Sequence, residues 1–199
     1  MSTATSGIGS ICVFCGSSDA ADPAWLSAAA QLGRLLAQAN IRLVYGGGGV
    51  GLMGACARAA LSGGGKVLGV IPEFLLDREG AVPGVETIVV QSMHQRKIRM
   101  FEEADAFAVL PGAIGTLEEA IELISWRRLG LHDKPIAFWN PDGFWEPLIA
   151  LFDSFVERRL VPPGFRDCWM TVGEVDHLLP ALQAMPTDVR VDQHMAART

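Results

Sequence analysis

The chain has 199 residues, half of them hydrophobic and 19% charged, with a net charge of −6. That length fits one domain able to bury roughly 70% of its unfolded surface without staples, and the composition excludes a disordered chain. The acidic balance excludes a polyanion-binding surface, which needs surplus Lys and Arg, yet leaves room for a small phosphate held by backbone amides and one or two cations.

Residues 1–10 are rich in Ser, Thr and Gly and carry no charged side chain. They lack the basic-then-apolar pattern of a signal peptide and read as a disordered extension; no later apolar run is long enough to span a membrane. The first predicted strand is Ile11–Cys15. Cys12 and Cys15 have the CxxC spacing, but no second pair or nearby His completes a metal site, so they read as buried, reduced strand thiols of a cytoplasmic protein. A helix follows to about Ala39, opened by Asp22 as N-cap and Pro23 at the first position. Then come a strand over Ile41–Tyr45, a helix over Gly51–Leu61, and strands over Lys66–Ile71 and Thr87–Val90. A helix over Met93–Glu103, a strand over Ala106–Leu110 and a helix over Leu117–Leu129 follow. The last elements are a strand at Ile136–Trp139, a helix over Phe144–Arg158, a short helix near Val175–Ala184, and a polar tail over 186–199. Unbroken apolar strands alternating with amphipathic helices predict an α/β class: a Rossmann-like doubly wound parallel sheet with helices on both faces, forming one domain over 11–185. Ligands of such sheets bind beyond the carboxyl ends of the strands, near the topological switch point.

Three glycine-bearing turns lie where a strand hands over to a helix: Gly16-Ser17-Ser18, Gly46-Gly47-Gly48-Gly49-Val50-Gly51, and Pro111-Gly112-Ala113-Ile114-Gly115-Thr116. Glycine lets backbone approach a phosphate, and a helix N-terminus offers unpaired N–H groups with a positive dipole end. None is a Walker loop, because no Lys-Ser/Thr follows the tetraglycine, and no acidic residue stands where a dinucleotide site needs one. A monophosphate is therefore favoured over ATP or NAD, although each turn could also be a simple tight connection.

Ser92 and Gln95 have capping-box spacing, and Arg96 and Lys97 then fall early in the helix, where the dipole disfavours cations. A bound anion would explain them; a solvated face would too. Thr116 and Glu119 likewise read as a capping box, yet Glu118 and Glu119 directly follow a phosphate-type turn. A carboxylate beside a bound sugar is what glycosidic cleavage needs, to stabilise positive charge at C1′ and the ring oxygen or to activate water.

At these residues the sequence resembles the Lonely Guy family of cytokinin riboside 5′-monophosphate phosphoribohydrolases, long labelled lysine decarboxylases. The family pattern PGGxGTxxE appears as Pro111-Gly112-Ala113-Ile114-Gly115-Thr116-Leu117-Glu118-Glu119, and MHxRK as Met93-His94-Gln95-Arg96-Lys97. The stretches Ile11–Ser18, Leu43–Gly48, Gly51–Gly54 and Gly69–Pro72 are also similar to it. The resemblance implies hydrolysis of AMP or a cytokinin nucleotide to free base and ribose 5-phosphate, without metal or organic cofactor, by a homodimer or larger assembly. It implies Arg96 and Glu119 as catalytic residues. It implies Glu79, Met93, Lys97 and Glu118, the 112–116 loop (Gly112, Ala113, Ile114, Gly115 and Thr116) and, more distantly, Gly47, Gly48 and Ser125 as substrate-binding positions. Ala113 departs from the pattern, which has glycine; if the position needed a positive φ, alanine would cost on the order of 1 kcal/mol. Two other readings remain at this point: a non-catalytic carrier such as a molybdenum-cofactor binder, and a pyridoxal-phosphate decarboxylase, whose Schiff-base lysine would have to be Lys66, Lys97 or Lys134.

Overall fold

A computed structural model describes residues 7–186. The extension over 1–6 and the tail from 187 onward lie outside the described residues. Seven strands form one parallel sheet in the order β4-β3-β2-β1-β5-β6-β7. The strands are β1 (Ser10–Phe14), β2 (Arg42–Tyr45), β3 (Val67–Pro72), β4 (Glu86–Val90), β5 (Ala106–Val109), β6 (Ile136–Trp139) and β7 (Met170–Val172). The helices are α1 (Pro23–Gln38), α2 (Gly51–Ser62), α3 (Glu73–Glu79), α4 (Met93–Glu102), α5 (Ile114–Arg128), α6 (Glu146–Glu157) and α7 (Leu178–Ala184).

Alternation along the strands divides the core between two faces. Ile11 and Val13 of β1, with Leu43 and Tyr45 of β2, pack on one side with Leu32 and Leu36 of α1 and Leu52 and Cys56 of α2. Cys12 and Phe14, with Val44 and Phe107, pack on the other with Met100 of α4 and Leu123 and Ile124 of α5. Each fully buried Leu, Ile, Val or Phe contributes roughly 1.5–3 kcal/mol, so burial of β1 on both faces fixes it as the sheet centre. All four cysteines are buried, and none forms a disulfide.

The predicted doubly wound sheet is present, with two elements added. α3 follows Pro72 directly and buries no residue fully, and β7 is a three-residue edge strand of partly exposed residues. Neither carries the apolar run that marks a core strand or helix. β1 starts at Ser10, inside the stretch read as an extension, because Asp105 accepts from the Gly9 and Ser10 amides at 3.0 and 2.9 Å. Asp22 caps α1 through the Ala24 amide at 2.8 Å.

The chain builds β1 to β4 outward on one side, then returns to lay β5 on the other side of β1. The switch point is therefore between β1 and β5, and the turns after those strands, at 16–18 and 111–116, face each other across it. The Gly16 amide donates to the Pro111 carbonyl at 3.0 Å, tying the two turns together.

Candidate active site

A cavity of about 380 Å³ opens at this switch point. Its floor is formed by the ends of β1 and β2 through Cys15, Gly16 and Gly46. One wall is α4, contributing Met93 and Arg96; another is the 111–116 turn with Glu118 and Glu119; Glu79 closes a third side. Apolar contacts complete it, among them Met53, Trp25 and Phe144.

The three glycine turns are not equivalent. In the 46–51 turn, the Gly49 amide donates to the Glu79 and Gly80 carbonyls at 3.0 and 2.8 Å, and Leu52 donates to Gly16 at 3.0 Å. The Gly51 amide donates to Asp19 Oδ1 at 2.7 Å. These donors are occupied by the protein itself. In the 111–116 turn, α5 begins at Ile114 with Ala113 as N-cap, and no side chain caps it. The first N–H groups of a helix have no intrahelical acceptor, and here Ala113, Ile114 and Gly115 are exposed. This end of α5 is the one left open for an anion, with the helix dipole behind it.

The start of α5 differs from the sequence reading. The capping box of Thr116 and Glu119 does not form, because the helix starts about one turn earlier than Leu117 and Thr116 lies inside it, buried. Gly112 makes room for this: a Cβ there would stand 2.6 Å from Thr116 Cβ and 2.9 Å from the Gly16 nitrogen. Ala113 has φ −93° and ψ −153°, a backbone that any residue adopts, so the departure from the family glycine carries no strain.

Arg96 is buried at 7% exposure. The first turn of α4 is set by Ser92, whose hydroxyl accepts from the Gln95 amide at 3.2 Å; Gln95 reaches back to the Gln91 amide at 2.9 Å rather than to that of Ser92. The guanidinium is fixed by carbonyls at two strand ends, donating through Nε to Val70 at 3.2 Å and through Nη2 to Gly46 at 3.0 Å. A Cβ at position 46 would collide with Arg96 Nη2, so glycine there is what lets the cation reach the cavity floor.

Glu119, one turn into α5, faces the same cavity. Burial raises its carboxyl to about 7; Arg96 opposes the rise, Glu118 adds to it, Lys97 opposes it, and Glu79 adds to it. A carboxyl poised near neutrality beside a fixed guanidinium is suited to handling charge or a proton at a reacting centre. Glu79, the last residue of α3, lines the cavity with Oε2 buried and without a hydrogen-bond partner among the described residues. Gly48 accommodates it, since a Cβ there would lie 2.7 Å from that oxygen.

The remaining sequence-derived positions divide. Met93, Gly112, Ala113, Gly115, Thr116 and Glu118 line the cavity. Lys97 does not; its ammonium contacts Glu118 at 2.5 Å and Glu122 at 3.0 Å. Ile114 does not line it either and is 78% exposed. Gly47 and Gly48 stand behind the wall rather than on it, Gly47 supplying the bend with φ +81°. Ser125 is exposed farther along α5, away from the cavity. Sequence reasoning missed Gly46, Trp25 and Phe144 as site residues. Gly46 could have been found from its place at the end of β2; Trp25 and Phe144 carry no such signal, because only tertiary packing brings their rings to 5.2 Å.

Among the described residues no helix is long and apolar enough to cross a membrane, and no three His, Cys, Asp or Glu side chains form a metal site.

The family described as "Possible lysine decarboxylase" matches residues 53–182. A probable cytokinin riboside 5′-monophosphate phosphoribohydrolase of Oryza sativa subsp. japonica is 46% identical over 176 residues, covering 87% of this chain and 70% of that protein. A cytokinin riboside 5′-monophosphate phosphoribohydrolase of Arabidopsis thaliana is 43% identical over 175 residues, covering 87% and 81%. Among solved structures, the molybdenum cofactor carrier protein of Chlamydomonas reinhardtii shares the fold with a TM-score of 0.67 at 18% identity, over 88% of this chain and 96% of that one. With its PGGxGTxxE-type turn opening α5 and its MHxRK-type helix meeting across one cavity, the chain belongs to the Lonely Guy family of cytokinin riboside 5′-monophosphate phosphoribohydrolases.

Proposed function

We propose that the chain hydrolyses the N-glycosidic bond of a nucleoside 5′-monophosphate, AMP or a cytokinin riboside monophosphate, releasing free base and ribose 5-phosphate. The observation that carries this reading is that Arg96 and Glu119, 23 positions apart along the chain, line one cavity whose rim is the uncapped start of α5. The 5′-phosphate takes the amides of 113–116. Glu79 and Glu118 accept hydrogen bonds from sugar hydroxyls or the base. The C1′–N bond breaks with its electron pair going to the base, positive charge develops at C1′ and the ring oxygen, water attacks C1′, and the proton the water loses ends on the base. Glu119 serves as counter-charge to that cation or as acceptor of the water's proton; both uses require the ionised form. Arg96 stabilises negative charge on the departing base and favours the ionised form of Glu119 against the effect of burial.

The decarboxylase reading has no supporting lysine. Lys66 and Lys97 do not line the cavity, and neither does Lys134, which donates to the Phe101 carbonyl at 2.7 Å and stands over the Phe101 ring. A carrier function rests on fold likeness alone and leaves the paired Arg96 and Glu119 without a task.

A homodimer fits the exposed stripe of Ile121, Ser125 and Leu129 along α5, which would also bring Ser125 to a partner's surface. Four buried cysteines outside any disulfide fit a reducing, cytoplasmic setting. The test is to incubate the protein with AMP and with isopentenyladenosine monophosphate and follow free base and ribose 5-phosphate by chromatography. Stoichiometric release of both products is the expected result; intact nucleotide after prolonged incubation would overturn the proposal.

A further inference from the structure

Lys97 is the one member of the MHxRK-type segment whose place in the structure differs from what the resemblance implies. It is a neighbour of Arg96 in sequence, yet it does not line the cavity, and its ammonium is held between two carboxylates of α5. Glu118 and Glu122 are one helical turn apart, where two like charges repel. Lys97 bridges them, at 2.5 Å to Glu118 and 3.0 Å to Glu122, with side-chain exposures of 16% for Lys97, 52% for Glu118 and 28% for Glu122. The cluster is therefore graded. Lys97 and Glu122 are its sheltered base, and Glu118 is its open tip on the cavity rim.

An ammonium has three donors and no acceptor, and two of the three are used here. If Glu118 turned to sugar hydroxyls with no second carboxylate present, Lys97 would lose its main partner in a half-buried place. Glu122 removes that penalty by keeping the cation anchored while Glu118 shares itself with a ligand.

We propose that Lys97 and Glu122 are positioning residues for the nucleotide's sugar: Glu122 anchors the Lys97 ammonium, and Lys97 holds the Glu118 carboxylate at the rim where it meets the ribose hydroxyls. This rests on the reading of the cavity as a nucleotide site. Neither residue lines the cavity; both act through Glu118, and Glu122 joins the site although it lies outside the family motifs quoted above.

The test compares Glu122→Gln, Lys97→Met and the double variant by steady-state kinetics with AMP, calorimetric binding of ribose 5-phosphate, and thermal melting. Expected is a KM rise of about fivefold for Glu122→Gln and about tenfold for Lys97→Met, ribose 5-phosphate affinity falling in parallel, and kcat for Glu122→Gln within about twofold of the parent. The double variant should match Lys97→Met, because Glu122 acts only through Lys97. Glu122→Gln with unchanged KM and only a lower melting temperature overturns the inference, as do losses that multiply in the double variant. A parent protein that neither hydrolyses AMP nor binds ribose 5-phosphate overturns the functional reading and this inference together, whereas an active parent with an indifferent Glu122→Gln variant overturns the inference alone.

Discussion

The 46–51 turn and the 111–116 turn both follow a core strand and open a helix, and the first has more glycine. Yet the first is closed by the protein's own groups, with Gly49, Gly51 and Leu52 donating to Glu79, Gly80, Asp19 and Gly16, while the second leaves the start of α5 uncapped and exposed. A glycine-rich turn becomes an anion site only where its amides lack internal partners. The glycines of 46–51 serve packing: Gly46 clears space for Arg96 and Gly48 for Glu79. One turn builds the charged floor and the other receives the phosphate.

The contrast is sharpest when a methyl group is added to each turn. Gly112→Ala would press on Thr116 and the Gly16 nitrogen, displacing the open amides; hydrolysis should fall on the order of 100-fold, as expected for a misplacement of about 1 Å, with a smaller change in melting temperature. Gly51→Ala should do the reverse. Its φ is +58° and its Cβ would lie 2.5 Å from the Ser17 carbonyl carbon and 2.7 Å from the Ser18 nitrogen, so its larger effect should be on stability, a drop of about 2–3 kcal/mol in denaturant melts. A Gly51→Ala variant with normal stability and a raised KM would erase the distinction.

Next in size is the pH dependence. Glu119 must be ionised to act, and its carboxyl stands at about 7 in the free protein, so kcat/KM should decline as pH falls through about 7. Glu118 raises that carboxyl and Arg96 lowers it; Glu118→Gln should move the acid limb to lower pH and Arg96→Gln to higher pH. The same shift affects stability. Between pH 4.5 and about 7 the native state keeps a proton that the unfolded state has lost, so stability declines as pH rises across that window. Glu119→Gln should abolish the decline, read as a melting temperature less dependent on pH there. The smallest effect is expected of Ala113→Gly: with φ at −93°, glycine gains nothing in the fold and should cost about 0.5 kcal/mol through the unfolded chain, with turnover unchanged.

The same contrast marks what a sequence discloses. Buried strands such as Ile11–Cys15 and capped helices such as the one opened by Asp22 and Pro23 are local features and could be read directly. The start of α5 could not: Thr116 and Glu119 have the spacing of a capping box, and only the contact of Gly112 with Thr116 and Gly16 moves the helix start forward. α3 and β7 lack an apolar run because each rests on a neighbour instead of forming a core, so Glu79 could be named by resemblance but not placed. That Arg96 and Glu119 share a cavity follows from strand order, with β1 beside both β2 and β5, which no local pattern encodes.

The most direct test of that shared cavity is a kinetic cycle on Arg96 and Glu119 with AMP as substrate, measuring single-turnover rates for Arg96→Gln, Glu119→Gln and the double variant. If the guanidinium and the carboxylate act on one bond as a unit, each single change should cost about 100-fold or more, and the double variant should be little slower than the worse single one. Losses that multiply in the double variant, or a Glu119→Gln protein that turns over AMP at the parent rate, would contradict it.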